Sequence, residues 1–285
     1  MNPHARGPIF AGMNNAPRLT DRTALMRNRA RASRAPVQFL HEAALDEVQF
    51  RLGMVNRTFT APAIVAGDAS LWVDHWPQAR IVEDEEVLAL DEGAHDLVIH
   101  AMCLHWANDP VGQLIQCRRA LKPDGLLLAV LYGGETLQEL RAALASAEVE
   151  KTGGLSPRVL PMGDIRDLGA LLQRAGLALP VADSLTLPTS YRDAFHLMRE
   201  LRAMGEANAL ADRLRHPTRP SVLRDAAARY AQAHGGDDGR IPATFELIFL
   251  TGWAPDENQP KPLRPGSATT SLADALGSIE KPLRD

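Results

Sequence analysis

The chain has 285 residues, 45% of them hydrophobic and 23% charged, ordinary figures for a soluble globular protein that can bury a sizeable core in one large domain or two small ones. A net charge of -4 gives no reason to expect a nucleic-acid partner, and no apolar run approaches the roughly 18 residues that would suggest a membrane span. Cys103 and Cys117 are the only cysteines; two thiols without a C-x-x-C pair fit a reducing compartment, so a cytoplasmic location is expected.

Residues 1–36 read as a flexible, Arg-rich leader. From Arg18 to Arg34 there are six arginines against one acid, Asp21. A solvated helix face is the default reading of such a run, with a phosphate-binding patch or a mitochondrial transit segment as alternatives.

Past Pro36 the pattern sharpens. Phe39, Leu40, Ala43, Ala44, Val48, Leu52 and Val55 recur at helical spacing and predict an amphipathic helix. "PAIVAGD" then reads as a short buried strand ending at Gly67, and "ARIVEDEE" as a second strand running into acids. "HDLVIHAMCLHW" is a nearly unbroken apolar run, as expected of a central strand covered on both faces. "PVGQLIQCRRALKPDG" predicts a helix with basic residues in its last turn, and "LLLAVLYGG" a further strand.

Strands alternating with helices indicate an α/β fold with a mostly parallel sheet. In such sheets ligands bind beyond the carboxyl ends of the strands. Gly67, Asp68, Asp84, Glu85, His105, Trp106 and Glu135 are therefore expected on one rim. For His105 and Trp106 the competing reading is plain packing of a strand end on the next helix.

Thr136 and Glu139 stand at capping-box spacing. Phe195, Met198, Leu201 and Met204 predict one face of a further helix, in an insertion over about residues 190–235. "GRIPATFELIFLTGW" would supply the closing antiparallel strands. Residues 37–255 are thus expected to form the domain, and 256–285 an extended or flexible tail. No His, Cys, Asp and Glu spacing suggests a metal site.

"HDLVIHAMCLHWANDPVGQLIQCRRALKPDGLLLAVLYGGETLQELR" resembles the core of the class I S-adenosylmethionine-dependent methyltransferases. "LTDR", "GGETLQELR", "GGLSPRVLP", "DLGALLQRAGL", "FHLMRELRAMGEANAL", "IPATFELIFLTGW" and "RPGSAT" are similar to a narrower, BioC-like branch. That branch includes the respiratory complex I assembly factors described as arginine hydroxylases.

The resemblance implies a Rossmann-like methyltransferase fold, S-adenosylmethionine as cofactor, and a client protein, a respiratory complex subunit among the candidates. It places Gly67, Asp68, Asp84, Glu85 and His105 at the cofactor, and His105, Trp106 and Glu135 in the cleft.

Two departures weaken the cofactor expectation. The glycine-rich loop is reduced to Gly67, followed by Asp68, Ala69 and Ser70. In addition, only 19 residues run from Ile64 to Val82, counting both, whereas a βαβ unit takes roughly 30 or more. One strand-helix unit, with its ribose-binding acid, is expected to be missing. The reading at this level is a methyltransferase-like protein that acts on or assists assembly of a partner, with cofactor binding weak or lost. The alternative is an active methyltransferase or hydroxylase that modifies a protein side chain.

Overall fold

A computed structural model describes residues 18–260 and Gly277; residues 1–17 of the expected leader and most of the expected tail lie outside the described residues. Residues 18–255 form one compact unit. Its sheet has six strands: β1 (Pro62–Ala66), β2 (Arg80–Val82), β3 (His95–Ala101), β4 (Leu121–Tyr132), β5 (Ala178–Tyr191) and β6 (Ile241–Trp253). They lie in the order β2-β1-β3-β4-β6-β5. β2, β1, β3 and β4 run parallel, with Ile64 opposite Ile81 and Ile99. β6 lies antiparallel between β4 and β5.

The apolar runs of β1, β3 and β4 are buried on both faces because alternate side chains enter two separate cores. Ile64, Ile99 and Leu128 pack with α2 (Phe39–Met54), α5 (Gln138–Thr152), α7 (Ala194–Ala203) and α8 (Pro220–His234). Val65, Val98 and Leu127 pack with α4 (Pro110–Ala120) and α6 (Ile165–Arg174). The result is a three-layer Rossmann-like fold with a helical insertion, α7 and α8, before the last strand.

The shortened crossover is as expected. Between β1 and β2 the only regular element is α3 (Ser70–His75), and β2 pairs directly with β1. Trp72 is fully buried under this short link and stacks on Trp76 with ring centroids 6.2 Å apart.

Three local expectations need correction. Residues 22–32 do not form a flexible leader but helix α1 (Arg22–Ala32), capped by Asp21, whose side chain accepts from the Ala24 N–H. The capping box at Thr136 and Glu139 does not form. Helix α5 starts after Leu137, and Thr136 exchanges hydrogen bonds with the backbone of Glu246 while Glu139 accepts from Thr244. Both side chains find better partners on β6 than at the helix end. In α7 the buried face is Ala194, Leu197 and Leu201, and Phe195 is exposed.

Candidate functional site

The strand order reverses between β1 and β3, and their carboxyl ends open the crevice where such sheets bind ligands. Gly67 follows β1, Asp84 follows β2, and a short 3-10 turn, Leu104–Trp106, follows β3. Met102, just before that turn, and Leu137, at the end of the loop after β4, both hold left-handed backbone. Such conformations are uncommon for non-glycine residues and cluster at functional rims.

Asp84 is the electrostatic centre of this crevice. It is 2% exposed, and two arginines from α1 grip it. Arg29 Nη1 and Nη2 donate at 2.7 and 3.0 Å to its two carboxylate oxygens, and Arg22 donates to both at 3.2 Å. Their side chains are only 13% and 18% exposed. Burial opposes the Asp84 charge, yet the Arg29 bond and field, then those of Arg22, outweigh it and hold its pKa below the ordinary value. Arg29 likewise has its pKa raised: burial disfavours its charge, and Asp84 more than offsets that.

The helix makes this possible because residues seven apart share a face, so Arg22 and Arg29 point the same way. The solvated-face reading of the arginine run therefore fails for these two.

Arg29 also covers the glycine cradle. A Cβ built on Gly67 would lie 2.1 Å from the Arg29 guanidinium carbon, so the guanidinium rests against the bare glycine backbone.

Beside this cluster lies a second buried network. Trp106 Nε1 donates to Glu206 Oε2 at 2.8 Å, and His105 Nε2 meets the same oxygen at 3.4 Å. The His105 ring packs on Tyr132 with centroids 4.7 Å apart, and its Nδ1 is buried without a partner. Burial pushes Glu206 up, but His105, Arg29 and the Trp106 bond together bring it below its usual value. Arg29 thus lies within the fields of both Asp84 and Glu206.

The remaining predicted residues stand apart. Asp68 is exposed and turns back to accept from the Ser70 N–H at 3.0 Å. Glu85 is exposed, 3.6 Å from Arg22. Glu135 is exposed as well, and it is engaged through its backbone: its N–H donates to Glu246 and its carbonyl accepts from the Gln138 N–H. Arg22, Arg29 and Glu206 were not singled out by sequence. The available signals were the seven-residue spacing of the two arginines and the lone acid in "MGEANAL". Among the described residues no group of three or more His, Cys, Asp and Glu could hold a metal ion, and no helix is long and apolar enough to cross a membrane.

A mostly parallel sheet ending in an antiparallel pair, with an acid after β2 and a glycine after β1, defines the class: a methyltransferase-type Rossmann fold. A methyltransferase-domain family profile matches residues 64–129. The chain is 31% identical to a malonyl-[acyl-carrier protein] O-methyltransferase from Methylovorus sp. (strain MP688), over 80% of this chain and 70% of that protein. It is 40% identical to the arginine-hydroxylase NDUFAF5, mitochondrial, of Danio rerio over 72% of this chain, and 39% identical to the Homo sapiens protein of that name over 71%. It spans 63% and 58% of the lengths of those two relatives. The chain belongs to the class I S-adenosylmethionine-dependent methyltransferases, in the branch that contains the malonyl-[acyl-carrier protein] O-methyltransferases.

The cytoplasmic expectation is overturned, because the relatives near 40% identity are named mitochondrial. Two buried thiols report only that they form no disulfide, which does not separate one reducing compartment from another.

S-adenosylmethionine is the cofactor of this class, and Gly67 and Asp84 are the positions that the family resemblance leads one to expect at it. In this arrangement they do not fit it. Both oxygens of Asp84 are taken by guanidinium groups, and Arg29 lies in the space directly over Gly67.

Proposed function

We propose that the chain is a methyltransferase-fold protein that recognises a client protein of respiratory complex I type and assists its modification or assembly, with weak or lost S-adenosylmethionine binding. The observation that carries this reading is the pairing of Asp84 with Arg29 and Arg22 above Gly67. A cofactor would have to displace those guanidinium groups and leave two buried cations without their partner. Charge-assisted hydrogen bonds contribute about 1.5–3 kcal/mol each. Losing two such bonds turns a micromolar site into one near millimolar.

A second reading, an active enzyme that hydroxylates or methylates a protein side chain, draws on the relatives named arginine-hydroxylase. His105, Trp106 and Glu206 would then line its cleft, with Glu135 outside it. Titration calorimetry of the purified chain with S-adenosylmethionine separates the two. The proposal expects no binding tighter than about millimolar, together with co-purification of a client protein. Submillimolar affinity that Asp84→Asn abolishes would restore the enzyme.

A further inference from the structure

Beside the Asp84 cluster lies a cavity of about 920 Å³ between α1, the start of α5, α7 and the 156–162 and 206–218 segments. Its floor is apolar: Leu140, Leu144, Leu160, Met162, Met198 and Leu201 line it, all buried or half-buried. Trp106 and Glu206 line it too, so its wall is shared with the buried network already described.

The rim has the opposite character. Arg27, Arg31, Arg158, Arg202, Arg213 and Arg215 surround it, and Glu206 is the lone acid among the lining residues. Arg158 is held by Glu148, and Arg213 and Arg215 by Asp21. Arg27, Arg31 and Arg202 are exposed, and their side chains have no ion-pair partner among the described residues. This concentration runs against the net charge of -4, so it is a local feature rather than a consequence of composition.

We propose that this cleft is the docking site for an acidic segment of a partner protein, with carboxylates paired to Arg27, Arg31 and Arg202 and an apolar side chain set on the floor. The proposal deepens the partner-binding reading above by giving the partner's chemistry, and it rests on that reading. A buried apolar centre with charges at its edge is the layout of peptide-recognition sites: the anchor supplies affinity, and the planar guanidinium groups fix carboxylates around it. Met162 and Met198 add an unbranched, adaptable surface suited to a side chain of variable shape. The same helix thus presents one pair of arginines, Arg22 and Arg29, to Asp84 and another pair, Arg27 and Arg31, to the cleft.

The test is fluorescence polarisation with a labelled peptide in which glutamates flank a Phe-Leu pair. A copy with glutamine for each glutamate and a copy with serine for the Phe-Leu pair serve as controls. Binding of the acidic peptide is expected, weakened about tenfold in the chain carrying R27E, R31E and R202E, since exposed pairs each contribute a few tenths of that factor on a logarithmic scale. All three side chains are exposed, so folding is preserved. Leu214→Asp, at another exposed lining position, is expected to weaken binding as well.

Equal affinity for the glutamine copy, or for the charge-reversed chain, would overturn the proposal. So would sedimentation of the wild-type chain, but not the reversed one, with phosphatidylglycerol vesicles that compete the peptide away, which assigns the cleft to a lipid surface. If the reversed chain still co-purifies with its client, the cleft assignment falls while the partner-binding reading stands.

Discussion

Arg29 stands so close over Gly67 that a methyl group there would lie 2.1 Å from its guanidinium carbon. The far end of an arginine ordinarily swings aside, but this one is buried and tied by two nitrogens to Asp84. Gly67→Ala is therefore expected to cost about 2 kcal/mol, because Arg29 must abandon part of a buried ion pair. In an Arg29→Ala background the same glycine change should cost almost nothing. Urea denaturation of the four chains measures the coupling. Simple additivity of the two changes would show that Arg29 does not rest on the glycine.

His100 is fully buried, with Nε2 2.9 Å from Gln113 Oε1 and Nδ1 3.4 Å from the Cys103 sulfur. Gln113 passes the link on to the Glu85 carbonyl at 2.8 Å, beside Asp84. The amide oxygen accepts from Nε2–H, the Cys103 thiol donates to the Val65 carbonyl at 3.5 Å, and the ring is neutral. Burial is the largest influence and pushes its pKa from 6.5 down to about 4. Between those values the unfolded chain takes up a proton that the folded chain refuses. Stability is thus fully present above the unfolded value and drains away as pH falls toward about 4, by at most about 3 kcal/mol. Urea midpoints at a series of pH values should slope downward through this window, and His100→Asn should flatten the slope. An unchanged slope in that variant would assign the pH dependence to other groups.

Both thiols are expected to be silent in the native protein. Cys103 and Cys117 are buried. Burial raises the pKa of Cys103 well above the usual thiol value, with the Asp84 field adding to it, and pushes that of Cys117 up to about 12. The thiolate is the reactive form, so a disulfide-exchange chromophore should report no thiol until denaturant is added, and then two. A thiol that reacts rapidly before unfolding would contradict this placement.

The sheet was legible because burial on both faces leaves a direct trace: apolar runs of strand length with turn residues between them. The shortened link between β1 and β2 was equally legible, since chain length bounds what a crossover can hold. Asp84, His105 and Trp106 were expected on one rim because strand ends are where such folds bind ligands, and they do follow the carboxyl ends of β2 and β3. The partners of these residues were not found. Arg22 and Arg29 lie 62 and 55 positions from Asp84, and Glu206 lies about a hundred from His105 and Trp106. Periodicity carries no information over such separations. The capping box at Thr136 failed for the same reason, since its real partners are on β6.

The attachment of α1 bears on when the crevice is formed and how often it opens. Besides the Asp84 pairs, α1 and the residues just before it are stitched to the segment around residues 207–210. Thr20 bridges Leu210, the Asp21 N–H donates to Ala209, and Asn28 donates to Ala207. Every one of these contacts closes a long loop, so the ordering entropy is spent before any contact is gained. Helix α1 is thus expected to dock after the sheet has assembled and to detach before it, carrying the 205–215 segment along as one cooperative unit. Exposure of Gly67 and Asp84 to solvent then follows the equilibrium of that single unit, and amide exchange in α1 and in residues 205–215 should proceed at matched rates.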